Sequence, residues 1–249
     1  MPYRRLPNTD AARIRALKAA LRKGQQQDIA TIAYPFALKQ KIEFFLPKFE
    51  VAISNSKLAK EKQFDNSPKF SEYTKKARLY ISHFIQVLNF CIARGELKPA
   101  VRSFYGLAEN SSKVPPLLTE QDLLQWGEKI ITGEQNRLSK GGGGSPIYCP
   151  SIALVKVNYE NFKENYIRQK QFQNNSARES GNVAQYRSEA DALILEIWNE
   201  VEHYFENVRD EVEKRYLCEE YGLVYVFRRG EKDKIRRQQE ADNITLKLF

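Results

Sequence analysis

The chain has 249 residues, a formal net charge of +9, two histidines and three scattered cysteines, and no stretch of it approaches the roughly 18 apolar residues of a membrane span. That length fits one large domain or two of about 100–150 residues. The cysteines form no pairwise pattern and the N-terminus lacks an apolar leader core, so disulfide scaffolds and membrane spans are excluded and a soluble, cytoplasmic protein is expected.

In chain order, residues 1–8 form a basic lead-in, and Asn8-Thr9-Asp10 supply side-chain oxygens able to cap a first helical turn. Ile14, Leu17 and Leu21 follow at helical spacing, with Gly24 as a stop. A polar connection over 25–31 leads to a longer helix from about Pro35, carrying Phe36, Leu38, Ile42, Phe45 and Phe49 and kinked at Pro47. Its pattern fades near Lys62, and Asn66-Ser67-Pro68 predicts a turn over 64–71. An amphipathic helix follows from Tyr73, with Phe84, Leu88 and Cys91 on one face. Pro99 then opens a second helical piece at its first turn.

A proline- and serine-marked boundary over 108–118 precedes Thr119-Glu120-Gln121-Asp122, a capping box with Asp in place of Glu. That box starts a helix bearing Leu123, Trp126 and Ile130. Lys140–Pro150 contains four consecutive glycines. Residues 152–157 read either as a strand or as a helix start; Tyr159, Phe162 and Tyr166 continue a helix, a turn is expected over 174–182, and a long helix then runs inward-facing to Val212. Two β-rich segments, 223–227 and 244–249, suggest a C-terminal hairpin.

The stretch 73–107 is echoed by 186–223. Tyr73 matches Tyr186, Ala77 matches Ala190, Ile81 matches Ile194, and both stretches close on Tyr-Gly-Leu, after a small insertion in the second. The register extends back to Phe49 on Phe162. Such self-similarity predicts a duplicated unit rather than a solenoid, whose period would be about 20–50 residues. The expected fold is therefore mainly α. It is a duplicated helical bundle of units 1–113 and 114–249, related by a pseudo-two-fold axis and able to form one compact domain, each unit with a leading helix and a long antiparallel pair.

Chemistry-bearing patterns are sparse. Glu200 and His203 stand at Glu-x-x-His spacing with Glu196 one turn earlier, half of the ligand set of a carboxylate-bridged metal bundle. The other histidine, His83, has Tyr80 three residues before it, so the second half is missing. Lys140 precedes its glycines, whereas a phosphate-binding loop places lysine after them. No nucleophile elbow occurs. Cys91 and Cys218 read as core thiols and Cys149 as an exposed one. Core is also the expectation for the aromatics at helical spacing, Phe44, Phe45, Phe90 and Tyr204 among them, with some lining a groove between the two repeats.

Two basic clusters remain. Arg4, Arg5, Arg13, Arg15, Lys18 and Arg22 lie at the N-terminus; Arg228, Arg229, Arg236 and Arg237 lie near the C-terminus. Clustered cations beside Tyr3, Tyr225 or Phe227 would suit nucleic acid. The reading is a non-catalytic interaction or scaffold protein with a protein partner or self-association and no cofactor. Nucleic-acid binding through the basic ends is the alternative. A small-ligand or metal binder in the inter-repeat groove is the second alternative, and the candidate metal ligands are Glu196, Glu200 and His203.

Overall fold

The computed structural model describes residues 3–28, 31–139, 145–227 and 230. Capping chemistry starts two of its helices where the sequence places it. Helix α1 (Asp10–Gln26) begins on Thr9, whose hydroxyl accepts from the Ala12 N–H at 3.2 Å. Helix α3 (Glu120–Ser139) begins on a reciprocal box: the Thr119 hydroxyl accepts from Asp122 N–H at 3.1 Å, while the Asp122 carboxylate accepts from Thr119 N–H at 2.9 Å. Each bond satisfies a first-turn donor that has no partner within the helix.

The two longest helices differ from expectation. Helix α2 (Phe36–Ala93) runs unbroken through Pro47 and Pro68, and helix α4 (Ile152–Tyr204) runs unbroken through Gly181. The turns expected over 64–71 and 174–182 are helical. An interior proline costs about 3 kcal/mol, which packing offsets at both prolines, and a glycine costs only about 1 kcal/mol. Around Pro47, Phe45, Leu46 and Phe49 are buried. Around Pro68, the Asn66 amide donates to Gln169 at 2.7 Å in a buried site, and Phe70 stacks on Phe162. The ambiguity at 152–157 resolves as the start of α4.

At its other end α4 stops at Tyr204 rather than continuing to Val212, which is exposed. Asp210 then caps a separate helix α5 (Glu211–Glu220), its carboxylate accepting from Val212 N–H. Pro99 opens a 3-10 helix, Pro99–Tyr105, at its first turn as expected.

The chain forms two compact units, and neither is a consecutive stretch: one comprises Met1–Lys57 with Arg178–Phe249, the other Leu58–Ala177. In the first unit, α1, the start of α2, the end of α4 and α5 enclose a core around Leu17, Ile42, Phe49, Ile194, Trp198 and Tyr221. The α2 and α4 segments run antiparallel there: Lys41 reaches Glu196, while Phe45 packs on Tyr186 further along. In the second unit, the end of α2, the 3-10 helix, α3 and the start of α4 enclose Ile81, Phe84, Tyr105, Ile130, Val155 and Phe162.

Positions matched by the sequence register are buried alike: Phe49 with Phe162, Ala77 with Ala190, Ile81 with Ile194, Ile85 with Trp198 and Leu88 with Val201. Cys91 and Tyr204 break the pattern, the first buried and the second exposed.

A two-stranded antiparallel sheet is present. Strand β2 (Tyr225–Val226) pairs with β1 (Tyr3–Arg4) at the N-terminus, Tyr3 opposite Val226. Residues 244–249, expected as the other half of a hairpin, lie outside the described residues. Among the described residues no helix is long and apolar enough to cross a membrane.

Continuity of α4 is testable at Gly181, which is exposed, with no atom within 4 Å of the place a methyl group would take. Gly181→Ala should raise stability by about 0.5–1 kcal/mol in urea titration. A turn at this position would make the same change neutral or destabilising.

Candidate functional site

Each unit contains a Tyr-Gly-Leu corner, and each glycine takes a left-handed conformation, φ +67° at Gly106 and +91° at Gly222. A methyl group on Gly222 would stand 2.8 Å from the Ala16 carbonyl oxygen, so the corner presses directly on α1. The tyrosines point inward. Tyr221 donates to Gln27 and accepts from the Ala33 N–H at 3.3 Å.

Tyr105 enters a denser network. It donates to Glu134, and its oxygen accepts from Arg137 Nε at 3.0 Å. Arg137 grips Glu134 in a forked pair, 2.8 Å at both nitrogens, and also reaches the Ser145 carbonyl at 3.1 Å. Both charged side chains are wholly buried. Burial pushes the Glu134 carboxyl up, but hydrogen bonds from Arg137 and Tyr105 outweigh it and hold the group below the ordinary glutamate range. Burial pushes the Tyr105 hydroxyl up, and Glu134 adds to the rise. These bonds tie α3 to the corner and to the chain at 145–147, so the network acts as a structural clamp.

Open space lies elsewhere. In the first unit a groove of about 750 Å³ runs between α2 and α4. Phe44 stands on its rim, 72% exposed. Lys41 and Lys48 edge it on α2, Glu189 and Glu196 edge it on α4, and Ala192 leaves a gap in the α4 wall. Toward Asn55 and Asn182 the groove continues as a second, more polar hollow of about 570 Å³.

The residues singled out in the sequence are dispersed. Arg4 bonds Glu202 and Asn199 at 2.8 and 2.9 Å and lies over the Trp198 ring. Arg13 forks onto Asp191 at 2.7 and 2.9 Å, and this bond raises its already high pKa. Lys18 pairs with Glu50. Arg4 and Arg13 are held against the first unit, whereas Lys18 stays exposed in a surface pair. Arg5, Arg15 and Arg22 are exposed, and Arg5 and Arg15 line one cleft beside Gly222. Arg228, Arg229, Arg236 and Arg237 lie outside the described residues, as do the four glycines of 141–144.

Glu196 faces Lys41, and His203 pairs with Glu206 at the surface. Among the described residues no three potential ligands are gathered for a metal. Cys91 and Cys218 are buried, and burial pushes both thiols up; Cys149 is exposed.

Sequence reasoning missed the Glu134–Arg137 clamp; a groove lined by both halves of the chain was expected, and the α2–α4 groove is lined by residues 37–48 and 186–196. Phe44, Phe90 and Tyr204, expected in the core, are more than half exposed. The available signal was that Phe44 falls off the 38, 42, 45, 49 spacing and sits between two lysines. Comparison with family models, characterised proteins and solved structures returns no match.

The clamp gives a signed pH prediction. Because the folded Glu134 value is depressed, its stabilisation is complete above the ordinary glutamate value of 4.5 and is lost as pH falls through the lower folded value. Glu134→Gln should cost about 3–5 kcal/mol near neutrality by leaving Arg137 buried without its counter-charge. It should also flatten the acid limb of a urea-midpoint-versus-pH curve relative to wild type.

Proposed function

We propose that this protein is a non-catalytic helical interaction protein whose docking surface is the α2–α4 groove of the first unit. One observation carries the reading: a large aromatic side chain, Phe44, is 72% exposed on the rim of an elongated groove between two helices. A lone exposed apolar residue needs no explanation, but one set against a concave wall is the arrangement by which helical surfaces take partners. The buried polar groups do not point to catalysis. Glu134 and Arg137 are enclosed and mutually satisfied, and a group acting on a substrate has to reach it.

The same reading includes duplication. We infer that residues 1–113 and 114–249 descend from one repeated segment. Three observations support it: matched positions along α2 and α4 share burial, both leading helices are capped by threonine, and both halves close on a left-handed Tyr-Gly-Leu corner. Each compact unit draws its leading helix from one half and its corner from the other.

Nucleic-acid binding is the second reading, favoured by Arg5 and Arg15, both exposed, in one cleft that Glu219 also lines. That reading expects retention on heparin that falls steeply with salt, and a marked loss in the Arg5→Glu, Arg15→Glu double variant. Unchanged retention in the double variant removes it.

The docking surface is tested with a photo-crosslinking phenylalanine analogue at position 44, in cells that make the protein. A discrete adduct is expected from position 44 and not from position 64, where Phe64 is similarly exposed but does not line the groove. Equal or absent crosslinking at the two positions overturns the reading.

A further inference from the structure

We propose that the occupant of the groove is a second copy of this chain, docked face to face about a two-fold axis running along the groove. The proposal rests on the interaction reading above and names its partner.

Charge comes first. The α2 edge of the groove carries Lys41 and Lys48; the α4 edge carries Glu189 and Glu196. The two edges run antiparallel, with Lys41 level with Glu196 at 3.5 Å. Rotation about an axis parallel to the groove keeps every residue at its own level and exchanges the two edges. The lysine edge of one copy then lies over the glutamate edge of the other: Lys41 meets the partner's Glu196, and Lys48 meets the partner's Glu189. A two-fold axis across the groove would instead stack lysines on lysines. A surface with opposite charges on its two edges is thus self-complementary for one orientation and repulsive for the other, which is the requirement for an isologous contact of defined register.

Shape agrees with charge. Three residues beyond Lys41 on α2, Phe44 stands level with the region around Ala192 on α4, which lies four residues before Glu196. The rotation that joins the charged edges therefore brings each Phe44 over the partner's Ala192. A large protruding ring meets a small residue twice, once on each side of the axis, as knobs meet holes between packed helices. The four helix segments would form an antiparallel four-helix bundle, burying a ring that neither copy can cover alone.

Size sets the strength. The groove and its continuation span α2 from Ala37 to Asn55 and α4 from Glu179 to Glu196, all within the first unit. At 1.5 Å rise per residue this face is roughly 27 Å long, and two helices about 10 Å apart make it roughly 20 Å wide. Such a face hides about 1,000 Å² in total, the low end for a specific interface. The dimer should therefore be reversible and concentration-dependent.

The test is sedimentation velocity on the full chain across the micromolar range, with circular dichroism to confirm that each variant is helical. Wild type should move from monomer to dimer mass as concentration rises. Phe44→Glu should weaken association by about tenfold or more. The charge variants are sharper. Lys41→Glu with Lys48→Glu makes both edges acidic; Glu189→Lys with Glu196→Lys makes both basic. Neither variant should self-associate, and an equimolar mixture should dimerise.

Wild type that stays monomeric throughout overturns the proposal, as does self-association surviving in both charge variants. Crosslinks from position 44 at a mass other than twice the chain would retain a docking groove while eliminating the second copy as its occupant. Absence of groove crosslinks together with a monomeric wild type would remove both readings.

Discussion

A tyrosine hydroxyl inside a helical core must find a partner, and this requirement fixes one corner of the chain in each compact unit. Tyr105 reaches Glu134 and Arg137 on α3; Tyr221 reaches Gln27 just past α1. In both cases the following glycine turns the chain left-handed, so the tyrosine can point inward while its backbone lies against a leading helix. A leucine then enters the same core. The ring is buried for its apolar area and the hydroxyl is satisfied by a specific neighbour, so the corner packs in one way. The second unit adds the Glu134–Arg137 pair. Such a pair contributes little net stability relative to apolar packing, but loss of either member leaves a charge without compensation. It acts as a lock on geometry.

That lock works because the long helices have no local partner of their own. Neither α2 nor α4 folds back on itself, so the apolar face of each has to be covered by segments distant in sequence. Each unit is assembled from the beginning of one long helix and the end of the other. This explains which parts of the fold were legible. Helical periodicity, threonine caps and the Pro99 start depend on residues a few positions apart, and all could be read. The expected breaks at 64–71 and 174–182 were local inferences too, from Asn66-Ser67-Pro68 and Gly181. The first failed because the deciding contacts, Asn66 with Gln169 and Phe70 with Phe162, join residues about a hundred positions apart; the second failed because one glycine, at about 1 kcal/mol, is a small cost in a helix of 53 residues. Local propensity is a weak term beside such packing.

The same limit applies to chemistry. Clustered cations were visible as composition, but which of them are engaged was not. Arg4 and Arg13 are spent on Glu202 and Asp191, acids nearly two hundred residues away. His203 and Glu196 share a helix at a suggestive spacing, yet each turns to a different neighbour. Glu134 and Arg137 lie three residues apart and look like any surface ion pair on a helix; burial by Tyr105 and the 145–147 segment gives them their role. Phe44 is the reverse case, an apolar residue in an apolar-rich helix that the fold leaves outside.

Exposure of that ring bears on what the groove is for. A bundle that needed only internal stability could cover its seam with polar side chains, as it does at the Asn55–Asn182 end of the same groove. At the other end it places a phenylalanine opposite an alanine and puts opposite charges on the two walls. An uncovered ring costs solubility, and the charged edges gain little from the water-screened Lys41–Glu196 contact within one chain, since exposed pairs contribute about 0–1 kcal/mol. Desolvation of the same four charges between two matched faces would strengthen their attraction and oppose misregistered pairings. The pattern has a physical rationale when the groove is occupied and little when it is empty, so the proposed association rests on the arrangement of the edges more than on the size of the opening.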